Sequence, residues 1–127
     1  MSFLTVWLRR WGPSLLMMVL IFCASGTPGN ELPYFGIWDF VLKKGAHMTG
    51  YALLGACFVH GLTNRATSMR RLWFLAVVMA GLYAMSDELH QSFTSGRRSS
   101  WMDVGIDTAG AVLGAWLWVR IQRMPRA

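Results

Sequence analysis

The chain has 127 residues, 54% of them hydrophobic and only 14% charged, with seven Trp and nine Met. Soluble domains carry about 25% charged residues, so this composition excludes an ordinary small soluble domain or a disordered tail. The net charge of +6 does not point to nucleic acid, because the 12 basic residues are scattered among apolar runs and form no basic stripe.

Four apolar segments follow one another. The first runs from Trp11 to Ser25 around Leu15–Phe22. It is short for a hydrocarbon core of about 30 Å, so it is expected to recruit Trp7 and Leu8, with Arg9 and Arg10 reaching back to the headgroups. The order Arg9-Arg10, apolar stretch, Ala24-Ser25-Gly26 also fits a signal peptide cut near Gly26. A Gly/Pro-rich loop covers Gly26 to Trp38, and the second segment runs from Asp39 to Gly61. A basic loop, Leu62 to Arg71, leads to the third segment, Leu72 to Gln91. A short polar loop, Ser92 to Trp101, leads to the fourth, Met102 to Ile121. The expected fold is all-α: a polytopic membrane protein of four transmembrane helices packed as a small bundle, forming one domain over 1–127.

Lys and Arg set the orientation. Arg9, Arg10, Arg65, Arg70, Arg71, Arg120, Arg123 and Arg126 share one side, against Lys43, Lys44, Arg97 and Arg98 on the other. The richer side is read as cytoplasmic, which places both termini inside. All six acids, Glu31, Asp39, Asp87, Glu88, Asp103 and Asp107, then fall on the opposite side. Cys23 and Cys57 lie in apolar runs at different depths and read as small core residues rather than a disulfide.

The scarce polar residues mark the candidate site. On the second segment Lys43, Lys44, His47 and Tyr51 share a helical face at steps of three and four; on the third Asp87 and Gln91 stand four apart, and on the fourth Asp103 and Asp107 do. Ionisable groups inside a span cost about 2.5–3.5 kcal/mol each on insertion scales. Three helices that bring such groups to one depth imply either a structural ion-pair network or a polar pocket open to the outer leaflet. Asp87, Glu88, Asp103 and His47 are the candidate acid–base groups. Asp87 pairs better with Asp103 or Asp107 than with Glu88, which points about 100° away. Arg97 has the planar fork suited to phosphate or carboxylate. His47, Asp87 and Asp103 offer metal-binding donor types, but no spaced ligand motif supports them, so neither a metal nor a cofactor is expected. His90 is a secondary candidate, and His60 is an interfacial residue at the far end. Gly110-x-x-x-Gly114, Ala111 and Ala115, and on the second segment Gly50, Ala52, Gly55 and Ala56, allow close helix approach, within the chain or in a dimer.

Ser86-Asp87-Glu88-Leu89-His90-Gln91-Ser92-Phe93, followed by Arg97, Ser100, Asp103 and Gly110, is similar to the pattern of the VanZ-like family of small bacterial membrane proteins. Lys44-Gly45-Ala46-His47, Tyr51 and Leu54-Gly55 resemble that family's second-helix signature, and the likeness covers about residues 14–119. It departs at Asp107, where the family often carries Asn. The resemblance implies a four-helix domain of the bacterial cytoplasmic membrane and a setting in envelope biology and teicoplanin resistance. The expected ligand is an anionic lipid headgroup, a lipid-linked envelope precursor or an amphiphilic antibiotic, contacted by Lys44, Tyr51, Gln91, Arg97, Ser100 and Asp107. Two other readings are an accessory subunit that docks through the glycine face of the fourth helix, and a small dimeric transporter. The sequence does not fix an oligomeric state.

Overall fold

A computed structural model describes residues 2–64 and 66–124 of the chain. Arg65 and Arg126, two of the cations used for the orientation, lie outside the described residues. Four helices follow in order, α1 (Phe3–Ser25), α2 (Asp39–Leu62), α3 (Met69–Ser92) and α4 (Trp101–Arg123), with short 3₁₀ turns at Gly29–Glu31 and Gly36–Trp38. Among the described residues there is no strand.

α1 begins eight residues before the predicted apolar segment. Ser2 caps it by accepting from Thr5 N at 3.3 Å, and the helix continues through Arg9, Arg10 and Pro13. Apolarity alone misses these first two turns because long basic side chains leave the helix axis without breaking it. Its 23 residues give about 34 Å of length. Pro13 has no N–H to offer the Arg9 carbonyl one turn back. His60 Nε2 takes that role from α2, donating to Arg9 O at 3.3 Å. Arg10 Nη2 in turn donates to Gly61 O and Thr63 O, both at 2.9 Å, and so closes the C-terminal end of α2.

α1, α3 and α4 are each long and apolar enough to cross a membrane. They expose large apolar side chains such as Leu16, Val19, Phe74, Leu82 and Leu117, the surface of a helix bundle solvated by lipid. α2 has 24 residues but is not among these three, because Asp39, Lys43, Lys44, His47 and His60 dilute its apolar run. α2 packs against α1, α3 and α4, and exposes Phe40, Val41, Leu42 and Leu53.

The most extensive interface joins α2 to α4. The two helices run parallel, with Lys44 beside Asp103 near their starts and Thr63 beside Gln122 at their ends. Between these points their backbones nearly touch. A Cβ on Gly110 would strike the Met48 carbonyl, one on Gly114 the Ala52 carbonyl, and one on Gly55 the Ala111 backbone. The glycine face of α4 is therefore used inside the bundle. It is not free to dock a partner, as the accessory-subunit reading required.

On α3 the buried stripe Leu72, Ala76, Ala80 and Ala84 has helical spacing and admits the neighbouring helices closely. The same stripe then continues as Asp87, Glu88 and Gln91, also buried. The core thus turns from alanine to carboxylate along one continuous face.

Candidate functional site

The stripe's polar end meets the first turns of α2 and α4 and the last turn of α1. Asp87 is 3% exposed and Asp107 1%. Asp87 Oδ2 accepts from Ser25 Oγ at 2.8 Å and from Gln91 Nε2 at 3.2 Å, and Gln91 Nε2 also lies 3.3 Å from Ser25 Oγ. Ser25 is fully buried, and the sequence marks it only as the end of the first apolar segment, not as part of the polar cluster. One hydroxyl at the end of an apolar run carries no pattern that would single it out.

α2 and α4 add two rungs. Lys44 pairs with Asp103, and one turn deeper His47 Nδ1 faces Asp107 Oδ2 at 3.5 Å. Asp87, Asp107 and His47 offer donor atoms that all lie within 4.8 Å of one another. Of the two partners considered for Asp87 it is Asp107 that approaches, while Asp103 is engaged by Lys44. The donor set considered from sequence, with Asp103, is accordingly replaced by one with Asp107. Tyr51, fully buried, interacts electrostatically with both carboxylates.

Several of these polar atoms are unsatisfied. Asp87 Oδ1, Glu88 Oε1, both Asp107 oxygens and the Tyr51 hydroxyl are buried without a hydrogen-bond partner. Each such group costs about 1–3 kcal/mol, and more when charged.

Glu88 turns away from the cluster, as its position on the helix predicts. Its Oε2 accepts from Ser100 N at 2.7 Å, while Ser100 Oγ accepts from Met102 N at 3.2 Å. Glu88 and Ser100 together therefore cap α4, where a carboxylate also meets the positive end of the helix dipole. Arg97 likewise has a local role: its Nε donates to Thr27 O at 3.2 Å and its Nη2 to Ala24 O at 3.0 Å, closing the C-terminal end of α1. His90 stays outside the cluster, stacked on Phe22 with ring centres 4.3 Å apart. His60 lies at the other end of the bundle beside Arg9 and Trp118. Both cysteines are free.

Two clefts reach the cluster. One is polar, about 750 Å³, and lined by Lys43, Lys44, His47, Gln91, Arg97 and Arg98 with Asp39 and Asp103 among others. Its four cations outnumber its two carboxylates. Lys43 is held by Asp39 at 2.8 Å, and Arg98 has no carboxylate partner among the described residues. Lys43 and Arg98 have no counterpart in the family likeness, which does not carry them over, although Lys43 shares the helical face of His47. The loops before α2 and α4 meet over this cleft: Gly29 N donates to Ser95 O at 2.9 Å. Gly96, at φ +72°, abuts Gly29 so closely that a side chain on Gly29 would overlap its backbone. The second cleft is apolar and lies between α1 and α2, lined by Met17, Leu20, Ile21, Gly50, Tyr51 and His47 among others. His47 lines both.

Compared with models of protein families, residues 10–122 match the one described as VanZ/LLP1. No curated protein and no solved structure matches the chain in the corresponding searches.

Proposed function

The chain belongs to the VanZ/LLP1 family, and from that premise we propose that it is a polytopic protein of the bacterial cytoplasmic membrane that binds an anionic amphiphile. In this reading α2 is the fourth span, packed against the other three, and both termini are cytoplasmic. The single 1–127 domain then opens its cluster toward the outer leaflet. The observation that carries the reading is the meeting of an apolar and a cationic cleft at His47. An acyl chain suits the first, bounded by α1 and α2, and a phosphate or carboxylate headgroup suits the second. Lys44, held by Asp103, Lys43 and Arg98 supply positive charge. Arg97 adds to that charge while its fork holds α1, and Gln91 and Tyr51 border the headgroup. Asp87, Asp107 and His47 are the groups placed to carry a proton to or from it.

In a cell envelope such an amphiphile is a lipid headgroup, a lipid-linked precursor or a lipoglycopeptide. The family resemblance links this setting to teicoplanin-type resistance.

Native mass spectrometry of protein released from vesicles of equal phosphatidylglycerol and phosphatidylcholine tests the reading. Wild type is expected to retain phosphatidylglycerol preferentially. Gly50→Leu, whose Cβ meets Ile21 at ordinary contact distance and whose side chain fills the apolar cleft, should lower retention about tenfold, a change of about 1.4 kcal/mol. Lys43→Ala/Arg98→Ala should erase the preference for the anionic lipid. Equal retention of both lipids by wild type would overturn the proposal. So would glycerol phosphate binding with the same affinity to wild type and Gly50→Leu while neither retains lipid, which marks a site for a free anion.

A further inference from the structure

We propose that His47, Asp87 and Asp107 form a binding site for one divalent transition-metal ion of the zinc or manganese class. Three helices contribute one ligand each, and their donor atoms lie within 4.8 Å of one another. Tetrahedral ligands of a common ion at 2.0–2.2 Å sit about 3.4 Å apart, so the set closes on an ion with side-chain movements of up to about an ångström. His47 Nδ1 and Asp107 Oδ2, at 3.5 Å, already have nearly the spacing of about 3.4 Å between tetrahedral ligands. That distance is long for a hydrogen bond.

A cluster of acids alone would carry little. The second observation is the state of its atoms. Asp107 is 1% exposed, and beyond the 3.5 Å approach of His47 Nδ1 its oxygens have no partner; Asp87 Oδ1, also buried, has none. The nearby cations are engaged elsewhere, Lys44 with Asp103 and Arg97 with two carbonyls of the α1 end. Two buried carboxylates without Lys or Arg partners are balanced by an ion of charge +2, and a neutral imidazole completes the set. One imidazole and two carboxylates favour zinc or manganese over calcium or magnesium, which prefer all-oxygen sites, and no thiolate is present to favour copper(I).

The surroundings resemble the supporting shell of a metal site. Asp87 is oriented by Ser25 and Gln91 through its Oδ2, which leaves Oδ1 unengaged. Three protein ligands leave at least one coordination position for water or an anionic oxygen, and His47 lines both clefts from which either could arrive. His47, Asp87 and Asp107 are the groups that the amphiphile reading gives to proton transfer; as ligands they hold the ion instead, and binding the ion needs no lipid.

The test uses full-length protein in detergent, stripped with chelator and titrated separately with Zn²⁺ and Mn²⁺. Calorimetry, metal analysis after gel filtration and, for Mn²⁺, electron paramagnetic resonance supply the readouts. One ion per chain is expected. Asp107→Asn and His47→Ala should each weaken binding by more than about 100-fold, beyond the 10–100-fold typical of outer-shell partners. Ser25→Ala, which removes only the orienting hydroxyl, should weaken it within that range, and Asp103→Asn, one turn away on α4, should leave it within a factor of about three. Retained helical circular dichroism shows that each variant is folded. Absence of stoichiometric binding of both ions to folded wild type overturns the proposal. Binding that Asp107→Asn and His47→Ala leave unchanged overturns it equally, by placing the ion elsewhere.

Discussion

The two ends of the bundle are both polar, but they differ in what they leave unpaired: neutral groups at the basic end, carboxylates at the acidic end. At the basic end the carbonyl freed by Pro13 is met by His60, and the last carbonyls of α2 are met by Arg10. At the acidic end Arg97 and Glu88 close helix termini in the same manner, yet between them Asp87 and Asp107 keep buried carboxylate oxygens without hydrogen-bond partners. A bundle that can satisfy its helix ends so fully has the means to satisfy its core. The basic end also leaves Ser14 Oγ and Trp118 Nε1 without partners, but these are neutral groups; among the described residues, carboxylate oxygens are buried unpaired at the acidic end alone. Their cost is larger than that of neutral groups, and a bound species that completes them accounts for it.

The largest expected effect comes from breaking what holds both ends in register. Gly114→Leu forces a side chain into the backbone of α2 at Ala52, where no flexible group can yield. Overpacking costs 1–3 kcal/mol even when side chains can move; against backbone the loss should exceed about 3 kcal/mol. Thermal unfolding in detergent followed by circular dichroism should show a transition lowered by more than about 10 °C, with aggregation on gel filtration. If Gly114→Leu melts like wild type, the α2–α4 seam does not fix the position of the polar rungs above it.

The seam also explains how much of this architecture can be read from sequence. The spans and the polar faces of α2, α3 and α4 follow from periodicity, because residues three and four apart share a face whatever the neighbours are. Which rung meets which does not follow. Asp103 and Asp107 lie on the same face of α4, and only the depth to which Gly110 and Gly114 seat against Met48 and Ala52 assigns Asp103 to Lys44 and Asp107 to His47. The contribution of α1 is hidden for another reason. Ser25 belongs to the cluster through a single hydroxyl, and Arg97 and Ser100 close helix ends that sit far from Arg97 or next to Ser100 in a loop of ambiguous polarity. Such capping roles depend on where a chain end arrives in space, which a single sequence does not encode as a repeating pattern.

The next effect has the opposite sign. In chelated protein Asp107→Asn should raise stability by about 1 kcal/mol, because it removes a buried charge whose oxygens lack hydrogen-bond partners. Destabilisation is the ordinary outcome when a buried ion pair loses one member. It would therefore show that His47 and Asp107 act as a structural pair rather than as ligands awaiting an ion. Denaturation with and without added Zn²⁺ separates the two: zinc should stabilise wild type and leave Asp107→Asn unchanged.

The smallest effect tests the satisfied end. His60→Ala removes the donor to the Arg9 carbonyl and should cost about 0.5–1 kcal/mol, the net worth of an ordinary hydrogen bond. Pro13→Ala supplies an N–H one helical turn from that same carbonyl. In the Pro13→Ala background, His60→Ala should then cost almost nothing, and the double-mutant cycle should return a coupling of about the full single-mutant loss. Because His60 is distant from the cluster, metal and lipid binding should be unchanged in all three variants. A coupling near zero would mean that His60 holds α1 by its packing against Trp118 instead. The basic end would then owe its closure to ring contacts, and its contrast with the open carboxylates would rest on Arg10 alone.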